Sequence, residues 1–275
     1  MNQLMRHFVE PIRYIYYLIK DDEYRKYNYL ILKYGKKKRF KEEKVSISKN
    51  ESFLVPDVAS FLSTYKELFV DNIYEYKVSD EKRANVIIDF GANIGLSLYF
   101  FAKNYPDAEI EGYEADPFIY KYLEKNVANN IKSDHVKIYN RAVWNKDTKL
   151  KFYSEGADGG RIKKDGGNSI NIEAVDVVDI LKKHEIIDFL KIDIEGAERM
   201  IVPAMKNQLK KVKKIFIEYH SEKNQPQCLA EIIGILSETG FRIYVHQEFV
   251  SKQPLKYISY NADFDLQLEI FGVRE

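Results

Sequence analysis

Four stretches of the chain carry residues whose types and spacing can do chemistry. In Val86-Ile87-Ile88-Asp89-Phe90-Gly91-Ala92-Asn93-Ile94-Gly95 an apolar run ends in an acid, followed by two spaced glycines. Gly91 permits a tight turn and lets the backbone approach a ligand, and Gly95 permits close packing where a helix begins. The pattern is Asp-x-Gly-x-x-x-Gly, not the Gly-x-Gly-x-x-Gly of a dinucleotide fold, and the longer loop leaves no tight helix N-terminus for a pyrophosphate. It suits the amino-acid end of S-adenosylmethionine, with Asp89 meeting the ammonium group directly or through water. In Gly112-Tyr113-Glu114-Ala115-Asp116-Pro117, Glu114 ends a second strand, where a carboxylate can accept both hydroxyls of a ribose. That acid alone would serve NAD equally; the first loop tells the two apart.

The third stretch is Leu190-Lys191-Ile192-Asp193-Ile194-Glu195-Gly196-Ala197-Glu198. Asp193 falls at the carboxyl end of a strand, and Glu195 follows on the same side of the two-residue period. Glu198 lies near a helix start, where negative charge is favoured whatever its function. The fourth stretch is Ile215-Phe216-Ile217-Glu218-Tyr219-His220, in which Glu218 and His220 share one strand face. A lone histidine is more often structural than catalytic, but this one ends a strand beside the acid cluster. His220 is the best titrating base near neutral pH; Glu195, Glu218 and Asp193 are the other candidates.

These residues need a sheet to bring them together, and the pattern after residue 85 supplies one. Val86–Phe90, Glu109–Glu114, Val136–Val143, Phe189–Ile194 and Ile215–Tyr219 read as strands, and the last two are Phe241–His246 and Phe264–Phe271. Between them Ile94–Asn104, Pro117–Asn130, Asp176–His184, Gly196–Leu209 and Pro226–Thr239 read as helices, the second with proline where its missing N–H costs nothing. Alternating β and α units imply a parallel doubly wound sheet with ligands at the carboxyl ends of its strands. Residues 144–170 interrupt the alternation as a glycine-rich hairpin, a mobile flap over 155–168 in which Arg161, Lys163 and Lys164 could meet an anionic acceptor. Residues 1–80 form an α+β extension to the domain of 81–275. In it Ile12, Ile15, Tyr16 and Ile19 repeat at helical spacing, Tyr27–Tyr34 and Val45–Ile47 read as strands, and Asp57 caps a helix bearing Val58, Phe61, Leu62, Tyr65, Leu68 and Phe69. The basic run Lys36–Lys44 between the strands reads as a solvated turn, the alternative being a patch for acidic lipid or a phosphorylated glycan.

Composition narrows the classes. The chain has 275 residues, a formal charge of +1 and one cysteine, Cys228. General electrostatic capture of nucleic acid calls for a basic excess that is missing, and one thiol builds neither an internal disulfide nor a multi-thiolate zinc site. No run approaches the ~18–20 apolar residues of a membrane span, and charges at Arg6, Glu10 and Arg13 break up any leader. The expectation is a cytoplasmic protein, with peripheral membrane contact through the N-terminal region left open. The 21 Tyr and 16 Phe read as codon bias, the alternative being aromatic surfaces that stack on sugars.

Asp89–Gly95, Tyr113–Pro117, Leu190–Glu198 and Glu218–His220 together resemble the FkbM-type methyltransferases over roughly residues 50–250, most specifically at Lys191–Glu198. Phe90 stands where that family often has Cys or Val, and Ala115 where it often has Pro. The resemblance implies a class I, Rossmann-like α/β fold with strand order 3-2-1-4-5-7-6, and S-adenosylmethionine-dependent O-methylation, often of a sugar hydroxyl on a surface glycan or its precursor. Cofactor contacts are then expected at Asp89, Gly91, Ala92, Asn93, Gly95, Glu114, Ala115, Ala142 and Asp193, and catalysis at His220, Glu195, Asp193 and Glu218. A divalent ion, magnesium or manganese, is the alternative occupant of those acids and the imidazole. The competing functions are methylation of another small molecule or a protein, and a non-catalytic binding protein with a vestigial cofactor site. Base N-methylation is disfavoured, since the Asp-Pro-Pro-Tyr type of loop is absent after strand four.

Overall fold

The computed structural model describes residues 17–77, 85–153, 161–162 and 169–274. The chain forms two compact units, Met1–Tyr76 and Lys77–Glu275.

In the first unit, helix α1 (Asp22–Tyr34) is followed by the antiparallel pair β1 (Glu43–Ser46) and β2 (Ser52–Val55), then α2 (Val58–Tyr65) and a π-turn over Lys66–Val70. The strand expected at Tyr27–Tyr34 is therefore helix. Its aromatic and branched residues favour strands locally, but Asp21 caps the first turn by accepting the Tyr24 N–H at 2.9 Å, and Leu30 and Tyr34, one helical turn apart, are both buried. Asp57 caps α2 by accepting the Ala59 N–H, and Val58, Phe61, Leu62 and Tyr65 are buried. The basic run links α1 to β1 rather than two strands; Lys37 pairs with Glu43 and Arg39 with Asp57. The amphipathic repeat from Ile12 lies almost wholly outside the described residues.

The second unit is built on seven strands in the order β12-β13-β11-β10-β3-β4-β5. These are β3 (Val86–Phe90), β4 (Glu109–Glu114), β5 (Val136–Asn140), β10 (Ile187–Ile192), β11 (Val212–Glu222), β12 (Arg242–Phe249) and β13 (Phe264–Val273). Neighbours among β5, β4, β3, β10 and β11 run parallel, while β13 runs antiparallel to both β11 and β12. Ile88, Phe90, Leu190, Ile192, Ile215 and Ile217 fill the middle, as parallel strands covered on both faces require. Among the described residues, five α-helices connect the strands: α3 (Leu96–Asn104), α4 (Pro117–Asn130), α5 (Val177–Lys182), α6 (Glu198–Ala204) and α7 (Leu229–Glu238). Among the described residues no helix is long and apolar enough to cross a membrane.

The strand expected over Val136–Val143 is two strands in two sheets. β5 ends at Asn140, and after exposed Arg141 the chain enters β6 (Ala142–Trp144), which pairs in parallel with β9 (Ser169–Asp176). β9 pairs antiparallel with β7 (Thr148–Tyr153), which also carries β8 (Arg161–Ile162). The smaller sheet has its own core of Ala142, Phe152, Ile172 and Ala174. Most of the flap read at 155–168 lies outside the described residues. The helix expected over Gly196–Leu209 is shorter, because α6 starts at Glu198 and stops at Ala204.

Candidate active site

The carboxyl ends of β3, β4 and β10 are tied together by backbone. The Gly91 and Ala92 N–H groups both donate to the Tyr113 carbonyl, and the Asp193 N–H donates to the Phe90 carbonyl at 3.0 Å. Gly91 has φ of +92°, and a Cβ there would sit 1.8 Å from the Asp193 carbonyl oxygen. Only glycine lets the first loop cross β10 so closely. Gly95 (φ +89°) heads α3, where a Cβ would fall 2.8 Å from Leu123 of α4.

Asp89 faces inward, towards Lys191. It is fully buried; its Oδ1 lies 3.0 Å from Lys191 Nζ, and the Ser97 hydroxyl donates to Oδ2. An internal lysine thus already meets the carboxylate expected to contact an ammonium group directly or through water. Lys191 also donates to the Gly91 carbonyl at 2.8 Å and lies 3.4 Å from Asp193 Oδ2. Burial alone would lower its pKa, but Asp89 and Asp193 outweigh that and hold it above the ordinary lysine range. A lone lysine in an apolar strand gives no hint of this role, since its partner acid lies on another strand.

Glu114 ends β4, buried, with Oε2 accepting the Asn93 N–H at 2.9 Å and Oε1 the Asp116 N–H at 2.7 Å. Burial pushes its pKa up to about 7, against the pull of those two N–H donors. Asn93 itself is left-handed, with φ of 48°, so the loop wraps round the carboxylate. Ala92 is buried, Ala115 is half-buried, and Ala142 lies in the core of the smaller sheet.

The other four candidates meet at the ends of β10 and β11. His220 Nε2 lies 3.3 Å from Glu218 Oε1 and 3.7 Å from Glu195 Oε2, and Nδ1 lies 3.4 Å from Glu198 Oε1. The His220 side chain is 0% exposed, whereas Glu195 and Glu218 are 21% and 23% exposed. Asp193 is 27% exposed. Burial would lower the His220 pKa, but Glu195, Glu198 and Glu218 outweigh it and hold it well above the usual imidazole range. Burial pushes Glu195 up as well.

His220 is fully enclosed and in contact with three carboxylates; the groups that open outward are Asp193, Glu195 and Glu218. Glu195 does not continue the strand period, since β10 ends at Ile192 and Glu195 sits in a turn with φ of 53°. Left-handed backbone is uncommon for a glutamate and gathers at functional sites. Glu198 heads α6, but its Oε1 turns back to accept the Ile194 and Gly196 N–H groups, bracing the turn that presents Glu195.

The methyltransferase FkbM domain matches residues 89–243. Methyltransferase sdnD of Sordaria araneosa is 26% identical over 216 residues, 65% of this chain and 81% of that protein. The 31-O-demethyl-FK506 methyltransferase FkbM of Streptomyces tacrolimicus is 23% identical over 224 residues, 69% of this chain and 84% of its own. A solved S-adenosylmethionine-dependent methyltransferase from Agrobacterium tumefaciens aligns with a TM-score of 0.49 at 10% identity, covering 87% of this chain and 72% of that one. The matched domain begins at Asp89, ends within β12 and holds Glu114, Asp193, Glu195, Glu198 and Glu218 together with His220. The chain belongs to the FkbM methyltransferase family.

Proposed function

We propose that the chain is an O-methyltransferase acting on a sugar hydroxyl of a surface glycan or its precursor. The observation that carries this reading is the trio of outward-opening carboxylates, Asp193, Glu195 and Glu218, gathered round the enclosed His220. A hydroxyl is a weak acid, so a positioned base is needed where its proton leaves. The Streptomyces relative's name, which specifies a 31-O-demethyl substrate, supports oxygen as the acceptor atom. Purified enzyme with labelled S-adenosylmethionine should label glycans carrying free hydroxyls and not peptides. Labelling of peptides alone would sink the reading, and a failure to bind adenosylhomocysteine in calorimetry would point to a vestigial site.

The residues present fit the cofactor. The Gly91–Gly95 loop and the buried carboxylate of Glu114 supply a backbone cradle and an acceptor of ribose hydroxyls, and Asp193 is left as the exposed acid for the ammonium group. When bound, S-adenosylmethionine supplies an activated methyl group. The chain's own part is to orient the acceptor hydroxyl and exclude water, with Glu195 taking the hydroxyl proton and His220 steadying the carboxylates as charge redistributes.

Glu114 gives a pH signature. Between the ordinary carboxylate pKa of 4.5 and about 7 the folded chain holds a proton that the unfolded chain has released. Glu114 therefore makes the ligand-free fold lose stability as pH rises through that window. Ribose hydroxyls want the ionised form, so adenosylhomocysteine affinity should rise up to about pH 7 and level off above. Glu114→Ala should weaken binding by roughly 1–3 kcal/mol and flatten that profile; unchanged affinity in calorimetry would remove Glu114 from the ribose site.

A second reading has its own geometric support. Ligand atoms of Asp193, Glu195 and His220 lie within 4.8 Å of one another. His220 Nδ1 is 3.2 Å from the Glu218 carbonyl, and a neutral ring protonated at Nδ1 would leave Nε2 for a cation. Oxygen-rich with one imidazole, the set suits magnesium or manganese. If Glu195 acts as a base, chelator leaves turnover unchanged; lost activity restored by either metal would make these residues metal ligands.

A further inference from the structure

The segment joining β12 to β13 exposes an unusual set of side chains. Leu255 is fully exposed, and Tyr257, Ile258 and Tyr260 are each about half exposed. The segment is held in shape by its own hydrogen bonds. The Lys256 and Tyr257 N–H groups donate to the Gln253 carbonyl, and the Ser259 N–H donates to Ser251 Oγ at 2.8 Å. Pro254 and Leu255 thus form the apex of a closed turn, with Lys252 and Lys256 on either side. Residues 250–262 contain those two lysines and no acid.

Its position follows from the sheet. β11 and β12 both pair antiparallel with β13, so β12 ends on the same side as β11. Gln267 of β13 is level with His220 on one flank and Phe249 on the other. The Phe264 ring packs 4.8 Å from the His220 ring, and Lys223 Nζ lies 4.5 Å over the Tyr260 ring. The exposed turn therefore stands at the rim of the acid cluster.

The geometry points to this turn as a lipid-contacting spike. Leu255 and Ile258 enter the interface of an anionic bilayer, Tyr257 and Tyr260 sit at headgroup level, and Lys252 and Lys256 pair with lipid phosphates. Fully exposed aliphatic side chains gain nothing in water, tyrosines favour the boundary between lipid and water, and paired lysines add attraction to an anionic surface. A free glycan would use tyrosine faces but not Leu255 and Ile258, and one face of Tyr260 is taken by Lys223. The site mouth would then open towards acceptors confined to a membrane. The inference does not rest on the acceptor chemistry proposed above.

Flotation of the full chain with phosphatidylcholine vesicles, with and without phosphatidylglycerol, tests it. The chain should float with the anionic vesicles, and less as salt rises. Leu255→Asp combined with Ile258→Asp should lower the floated fraction about tenfold or more. Lys252→Glu combined with Lys256→Glu should lower it chiefly at low salt. Both variants should keep their adenosylhomocysteine affinity in calorimetry, which shows that the site is folded. No flotation of the parent chain, or equal flotation of the aliphatic variant, overturns the inference. So does a dimer in ultracentrifugation that the aliphatic variant abolishes, since the turn would then bind a second copy.

Discussion

Lys191→Met should destabilise the second unit by about 3–5 kcal/mol, the usual cost of leaving one member of a buried ion pair without its partner. Asp89 has no exposed surface and would keep only the Ser97 hydroxyl, while the Gly91 carbonyl would lose the ammonium that now donates to it. Methionine fills most of the lysine's volume, so the loss is electrostatic rather than a cavity. Lys191→Met with Asp89→Leu should recover much of the stability, because apolar replacement of a whole buried pair is often close to neutral. A double-mutant cycle by urea unfolding measures the coupling. If the single variant lies within about 1 kcal/mol of the parent, Lys191 is not what holds the first loop against β10.

Glu195→Gln should lower turnover about 10²–10⁴-fold, the range for loss of a positioned base. Cofactor affinity should stay nearly intact if, as proposed, Glu195 meets the acceptor while Glu114 and the glycine loop meet the cofactor. Glutamine keeps the shape and removes the charge. Glu195→Gly separates function from strain, since relief of a left-handed φ should stabilise the fold by about 1 kcal/mol while turnover falls. Rapid-quench turnover beside calorimetry with adenosylhomocysteine reads both effects. Loss of affinity with an unchanged rate at saturation would move Glu195 to the cofactor side.

Part of this arrangement is visible in the chain itself. Val86–Phe90, Glu109–Glu114 and Pro117–Asn130 form the elements expected of them; the clearest local signals are the apolar run stopped by Gly91 and the helix opened by Asp116-Pro117. Glu218 and His220 share a face in the structure as the two-residue period requires. Tertiary context decides the rest. Tyr27–Tyr34 alternates well enough for a strand, and only the Asp21 cap and the burial of Leu30 and Tyr34 make it helix. Nothing in Val136–Val143 marks Asn140 as the last residue of one sheet. The left-handed turn at Glu195 depends on Glu198 reaching back to the Ile194 and Gly196 N–H groups, a contact that spacing does not announce. The roles of Asp89 and Lys191 are legible only once β3 and β10 lie side by side.

The break at Arg141 has an evolutionary consequence. The smaller sheet leaves the main one through a single strand, β6, and is closed by the β6–β9 and β7–β9 pairings. Whatever joins Tyr153 to Ser169 can therefore lengthen or shorten without altering a hydrogen bond of the seven-stranded ladder. A doubling of that length costs only about 0.6 kcal/mol in loop closure. Descendants of one ancestor could vary this edge freely while the crossing of Gly91 over Asp193 stayed fixed by sterics. The architecture thus pairs an end constrained by sterics with one whose length the main sheet leaves free.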